Sequence, residues 1–108
     1  MEVVEEQLLA YNARDVERFI STHSANVVIE DGEGNLLMKG HDQMREQYGT
    51  LFKTNPDLNC RIVQRMRIGK YVVDEEEVTG IQGSSTPMHA VAIYRIEEDK
   101  ITHVRMLM

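Results

Sequence analysis

The chain has 108 residues, which is enough for one domain with one hydrophobic core. Hydrophobic residues make up 42% of it and charged residues 28%, so it is too apolar for a disordered chain. Its net charge of −6 repels phosphate backbones and anionic lipid, so we expect neither nucleic acid nor a membrane as a partner. The lone Cys60 and an acidic start without a signal-like pattern favour the reducing cytoplasm.

The first third of the chain predicts two helices. The first has an apolar stripe at Val4, Leu8 and Tyr11. Asp15 can cap the second helix, whose stripe recurs at helical spacing through Val16, Phe19, Ile20 and His23.

A short hairpin and a third helix are predicted next. Val27–Glu30 has strand-forming residues, Asp31–Asn35 contains two glycines typical of a turn, and Leu36–Met38 returns as a second strand. The third helix is expected from about Asp42 and should stop before Asn55-Pro56, because a residue before proline disfavours helical backbone.

After Pro56 the apolar period changes from helical to two, which predicts a long strand with one wet face. The apolar set is Leu58, Cys60, Ile62, Met66 and Ile68. A tight turn at Gly69-Lys70 leads into the strand Tyr71–Thr79 and places Arg65 opposite Asp74, a favourable charge pair. The same register places a second set of side chains on the other face, which we expect to face a pocket: Gln64, Met66, Tyr71, Val73, Glu75 and Glu77.

The strand Met88–Ile96 is apolar at nearly every residue, so both of its faces should be covered. Three helices can cover one face. We expect a second copy of the chain to cover the other, giving a homodimer through the outer sheet face. Ile101–Met108 is predicted to form the final strand.

The order of these elements, together with several stretches of sequence, resembles the nuclear transport factor 2-like superfamily in its SnoaL-like and ketosteroid-isomerase-like branch. The stretches are residues 11–15 (YNARD), 28–31 (VIED), 40–41 (GH), 72–80 (VVDEEEVTG) and 90–96 (AVAIYRI). Together they span almost the whole chain, residues 1–108, as a single domain. The resemblance implies an α+β, cystatin-like cone in which a curved antiparallel sheet packs against three N-terminal helices around a pocket.

The resemblance also implies a catalytic role for Asp31, which matches the proton-shuttling base of ketosteroid isomerases. The alternative is that Asp31-Gly32 is a hairpin turn, a favoured use of these two residues. An enolate also needs hydrogen-bond donors at its oxygen. The donor positions of the family fall here on Gln7, a weak donor, and on Ala92, which has none, so the sequence does not predict steroid isomerase activity.

Other polar side chains could supply the chemistry. Tyr11, Tyr48 and Tyr94 could turn their hydroxyls inward, although a packed ring is the commoner role of a tyrosine. Glu75, on the expected pocket face, would be desolvated there and could act as an acid, or it could belong to an exposed acidic strand.

Met66 and Met106 are expected to line the cavity as adaptable apolar side chains, while Cys60 is interpreted as packing. The four histidines show no ligand spacing, so no metal site is predicted.

The leading hypothesis is a domain that binds a small, mostly apolar cyclic or carbonyl-bearing metabolite. It would act on this ligand by acid–base isomerisation, cyclisation or dehydration, without a metal or organic cofactor. Two alternatives remain open: a ligand carrier that performs no reaction, and a dimeric interaction scaffold whose cavity has collapsed.

Overall fold

Residues 2–108 are described by the computed structural model, which contains three helices and six strands. In chain order these are α1 (Val3–Asn12), α2 (Val16–Ser21), β1 (His23–Asp31), β2 (Leu36–Lys39), α3 (Gly40–Thr54), β3 (Asn59–Ile68), β4 (Tyr71–Thr79), β5 (Met88–Glu97) and β6 (Lys100–Leu107). The predicted α+β fold class is confirmed. None of the helices in residues 2–108 has the length and apolar character needed to cross a membrane.

The predicted cap of α2 is present, but this helix is shorter than expected. The backbone N–H of Arg18 donates to the Asp15 carboxylate at 3.2 Å. The Thr22 hydroxyl donates to the Phe19 carbonyl at 2.7 Å and competes with continued helical bonding. The prediction that His23 belongs to the second helix is therefore wrong, because His23 is the first residue of β1.

The six strands form one sheet in the order β2-β1-β6-β5-β4-β3. Four of the five neighbouring pairs are antiparallel, whereas β1 lies parallel to β6, with Ile29 beside Val104. The sheet is therefore mixed rather than wholly antiparallel. Parallel neighbours need a long connection, and here the whole chain from β2 to β5 intervenes between β1 and β6.

A β-bulge in β3 reverses which residues of this strand face the core. Arg65 pairs with Asp74 as predicted, but the register shifts between Ile62 and Gln64, and Ile62 pairs with Glu76. A shift of one residue exchanges the two faces of a strand. Beyond the bulge, Arg65 therefore lies on the inner face with Asp74 and Glu76 of β4, whereas Met66 and Glu75, which were expected to face the pocket, lie on the outer face.

The three helices cover only the inner face of the sheet, and the core lies between these two layers. On the helical side an aromatic cluster is formed by Tyr11, Phe19, Tyr48 and Phe52, whose neighbouring ring centroids lie 4.6–6.0 Å apart. Such edge-on and tilted contacts stabilise a core by about 0.5–1.5 kcal/mol per pair beyond area burial. The cluster joins the three helices above the sheet.

Candidate functional site

A cavity of about 300 Å³ lies between the helices and the inner face of the sheet. Most of its lining is apolar, with the aromatic rings Tyr11, Phe19, Tyr48 and Tyr94 and the methionines Met38, Met88, Met106 and Met108. Leu37 and Met108 both line the cavity and are exposed, so they mark its opening. The volume is at the lower end of the range for ligand pockets and about twice that of a cavity that holds benzene.

Glu76 carries the carboxyl group in the lining of this cavity. Only 6% of the residue is exposed. Burial, reinforced by the negative charge of Asp74, raises the pKa of the Glu76 carboxyl to about 7. The Tyr94 hydroxyl donates to Glu76 Oε2, but the 3.3 Å distance is long for such a bond and opposes this shift only in part. Glu76 can therefore exchange a proton near neutral pH.

Three tyrosine hydroxyls lie within electrostatic range of this carboxyl. Burial and then the charge of Glu76 raise the pKa of Tyr48 to about 12, and the same causes raise the pKa of Tyr94 well above its ordinary value. Burial also raises the pKa of Tyr11, and Glu76 adds to the effect. All three hydroxyls are therefore protonated donors within electrostatic range of Glu76. Among residues 2–108, the hydroxyls of Tyr11 and Tyr48 have no hydrogen-bond partner.

An ion pair between β3 and β4 lies beside Glu76. Asp74, 1% exposed, accepts two bonds from Arg65, at 2.6 and 2.9 Å. Arg65 also donates to the Glu5 carboxylate on α1 at 2.9 Å, so the pair links helix and sheet. The bond to Asp74 raises the pKa of Arg65, which keeps the guanidinium charged. Asp74 lies opposite Ala92 on β5, which is fully buried.

Most of the side chains predicted to contact a ligand do line the cavity. They are Gln7, Tyr11, Tyr48, Tyr94 and Met106. Met66 does not, because the bulge in β3 turns it to the outer face, where it is 59% exposed.

Asp31, the predicted base, is not part of the cavity lining. Its Oδ1 accepts the backbone N–H groups of Glu33 and Asn35 at 2.9 Å, and its Oδ2 accepts the Asn35 side chain at 3.0 Å. These bonds, the side chain of Asn35 first, lower the pKa of Asp31 and favour the charged form. The geometry is that of a turn-forming aspartate, the alternative interpretation of the Asp-Gly pair.

The prediction that Glu75 faces the pocket is wrong. Its carboxylate lies on the outer face, where it accepts bonds from Gln64 at 3.0 Å and pairs with His89 at 2.7 Å. Glu76 was missed for the same reason, since the bulge moves the inward position by one residue. The adjacent apolar residues Ile62 and Val63 break the alternation at this point and are the sequence signal of the bulge.

Cys60 lines the cavity as a packing residue. Burial and the nearby Glu76 raise the pKa of its thiol to about 12, so the reactive thiolate does not form at neutral pH. No three His, Cys, Asp or Glu residues in the described part of the chain are grouped closely enough to hold a metal ion.

The sequence model of the SnoaL-like domain matches residues 4–104, nearly the whole chain. The chain belongs to the SnoaL-like domain family. None of the curated proteins matches this sequence.

Solved structures show the same architecture as this SnoaL-like domain. An uncharacterised cystatin-fold protein from Novosphingobium aromaticivorans is 27% identical with a TM-score of 0.89, and the match covers 99% of this chain and 96% of that one. A protein with a ketosteroid-isomerase-like fold from Catenulispora acidiphila, solved with trimethylamine, is 20% identical (TM-score 0.80; 97% and 83% covered). A candidate polyketide cyclase from Sinorhizobium meliloti is 17% identical (TM-score 0.82; 98% and 94% covered). These likenesses confirm the cystatin-like fold of the SnoaL-like domain.

Proposed function

We propose that this SnoaL-like domain binds a small, largely apolar ketone of one or two rings and moves a proton next to its carbonyl group. The observation that carries the proposal is the buried carboxyl of Glu76 in the wall of an open cavity. A base for this reaction must lie where water is excluded and must ionise near the working pH, and Glu76 meets both conditions.

The tyrosines would supply the second requirement of this chemistry. Removal of a proton from the carbon beside a carbonyl leaves an enolate, whose oxygen needs donors in a dry site. The hydroxyls of Tyr11 and Tyr48 face no protein acceptor in residues 2–108, so they can donate to the substrate oxygen. Glu76 takes the proton as a carboxylate. Where a carbon–carbon double bond adjoins the deprotonated carbon, Glu76 returns the proton to the far end of that bond, which shifts the double bond and needs no cofactor; with a plain ketone the proton returns to the same carbon and is only exchanged.

The direct test is proton exchange in deuterated water. A panel of cyclic ketones, including 2-tetralone, is incubated with the protein, and loss of the proton signals beside the carbonyl is followed by NMR. We expect Glu76→Gln to slow this exchange by about 10²–10⁴-fold, the usual contribution of a positioned base. Glu75→Gln is the matched control, because it removes the neighbouring carboxylate from the outer face and should leave the rate unchanged.

The outcomes separate the proposal from its alternatives. Exchange that is equally fast in Glu76→Gln would remove Glu76 from the mechanism. Saturable binding of the ketones without any exchange would instead support the carrier alternative. A cavity of about 300 Å³ does not favour the third alternative, the collapsed scaffold.

We also propose that two copies pack through the outer face of the sheet. The support comes from β5, whose outward residues Val91 and Ile93 are only half-buried, and from the exposed Met66 on the same face. No helix covers this face in residues 2–108. The partner would bury the apolar centre of the face, as in an isologous dimer.

The mass in solution, measured by light scattering after gel filtration, tests the dimer. Wild-type protein should have twice the chain mass, and Met66→Glu should reduce it to a monomer. Leu9→Glu is the control, because Leu9 is an exposed leucine on α1, away from this face. A monomeric wild-type protein, or a dimer that survives Met66→Glu, contradicts the proposal.

A further inference from the structure

His23 is a cavity-lining histidine that the proposed reaction does not use. It is 3% exposed and packs against Phe19, with the ring centroids 5.1 Å apart. Its Nδ1 lies 3.1 Å from both the Phe19 carbonyl and the Thr22 hydroxyl. Nδ1 must carry the proton, because a carbonyl oxygen can only accept a hydrogen bond.

The other ring nitrogen is consequently an acceptor. Burial lowers the pKa of His23 to about 4, so at neutral pH the ring carries one proton, and that proton is on Nδ1. Nε2 then has a free lone pair in a fixed tautomer.

Nε2 also has no partner among residues 2–108, although it is not sealed off from open space. The open space bordered by His23 is the cavity. Nε2 is thus an acceptor that residues 2–108 leave unpaired in the wall of a mostly apolar cavity, and its donor must come from whatever occupies the cavity. Gln7 gives independent support, because its amide lines the cavity, is 7% exposed and also lacks a partner in the described chain.

We infer that the ligand carries a hydroxyl or N–H group, apart from its carbonyl, and that this group donates a hydrogen bond to Nε2 of His23. The inference rests on the proposed function, since it concerns the ligand of the same cavity. His23 thereby acts as a specificity residue rather than a catalytic one. It selects a hydroxylated or amino-substituted cyclic ketone over the plain ketone, because the plain ketone leaves Nε2 unpaired and without water.

The experiment compares how tightly related ketones bind to wild-type protein and to two variants of His23. The probes are 2-tetralone and its four derivatives with one hydroxyl on the aromatic ring, which are isomers of one another, and dissociation constants are measured by calorimetry. We expect at least one isomer to bind wild-type protein about tenfold more tightly than 2-tetralone, the usual value of one buried hydrogen bond. The preference should disappear in His23→Asn, whose amide can replace Nδ1 but does not reach the Nε2 position. It should persist in part in His23→Gln, whose longer amide does.

Folding of these variants is checked by circular dichroism and is favoured because Thr22 still donates to the Phe19 carbonyl. A second measurement needs no variant: nitrogen NMR of wild-type protein at pH 7 should show Nε2 unprotonated, with a shift of its signal when the preferred isomer binds. Equal binding of all five probes, or a preference unchanged in His23→Asn, overturns this inference alone. Failure of every probe to bind overturns it together with the proposed function.

Discussion

Replacing Glu76 with glutamine should make the protein more stable at pH 8 while slowing the proposed proton exchange. Glutamine keeps the shape of the side chain and can still accept the bond from Tyr94, so the change removes mainly the charge. The pKa of Glu76 is raised from its ordinary value of 4.5 to about 7. Each tenfold change in proton affinity corresponds to about 1.4 kcal/mol, so holding the ionised carboxyl in the folded protein lowers the free energy of unfolding by about 3 kcal/mol. We therefore expect a gain of about 3 kcal/mol in the free energy of unfolding.

The gain depends on pH in a definite direction. Folding favours the protonated carboxyl, so the cost of holding Glu76 in the folded protein is absent below pH 4.5. The cost grows as the pH rises from 4.5 to 7, because the unfolded chain loses its proton first, and it is complete above pH 7. The advantage of Glu76→Gln should thus be less than about 1 kcal/mol at pH 5 and nearly full at pH 8.

Urea unfolding at both pH values measures this difference. At pH 8 the variant should also melt on the order of 10 °C above the wild-type protein, given the size of the domain. Glu75→Gln again serves as the control, and we expect its free energy of unfolding to change by less than about 0.5 kcal/mol. A Glu76→Gln variant that is no more stable than wild type at pH 8, or equally stabilised at pH 5, would refute the argument that burial raises the proton affinity of this carboxyl.

Three further substitutions test the surrounding structure. Arg65→Met should lower the free energy of unfolding by about 3–5 kcal/mol, because it leaves Asp74 buried without its partner. The double variant with Asp74→Leu should recover most of this loss. An Arg65→Met variant as stable as wild type would contradict the reasoning. Asp31→Asn should leave ketone proton exchange unchanged, since Asp31 holds a turn outside the cavity; abolished exchange in a folded variant would restore Asp31 as the base. Gly80→Ala should lower the free energy of unfolding, measured in urea, by about 1–3 kcal/mol or more, because Gly80 has a φ of +80° and an added Cβ would overlap the Asp57 carbonyl. A variant as stable as wild type would contradict this expectation.

The elements and the family were predictable because each leaves a local trace in the sequence. Asp15 is followed by an apolar helical stripe, and Gly69-Lys70 separates two strands whose charges match at Arg65 and Asp74. The parallel contact of β1 with β6 leaves no such trace. It depends on which segments distant in the sequence pair in the folded sheet, and neither composition nor periodicity predicts that pairing.

The site was predicted only in part, and the error has one physical origin. Residues that face the cavity from helices, such as Tyr11 and Tyr48, were identified correctly because helical spacing is not altered by what the sheet does. On β4 four acidic residues follow one another, so two of them face inward in either register. Because Cys60 and Ile62 of β3 are on the core side, the single bulged residue after them determines that Glu76, and not Glu75, faces inward beside them.

This bulge places two carboxylates, Asp74 and Glu76, side by side under the helices. Asp74 is neutralised by Arg65, whereas Glu76 accepts a long bond from Tyr94 and forms no ion pair within residues 2–108. A structural role alone would be served better by an apolar residue at position 76, because an ionised carboxyl there lowers stability. Functional sites are where such locally unfavourable choices concentrate. The difference between Asp74, which has a basic partner, and Glu76, which has none in residues 2–108, is therefore the strongest structural argument that Glu76 serves the proposed proton transfer.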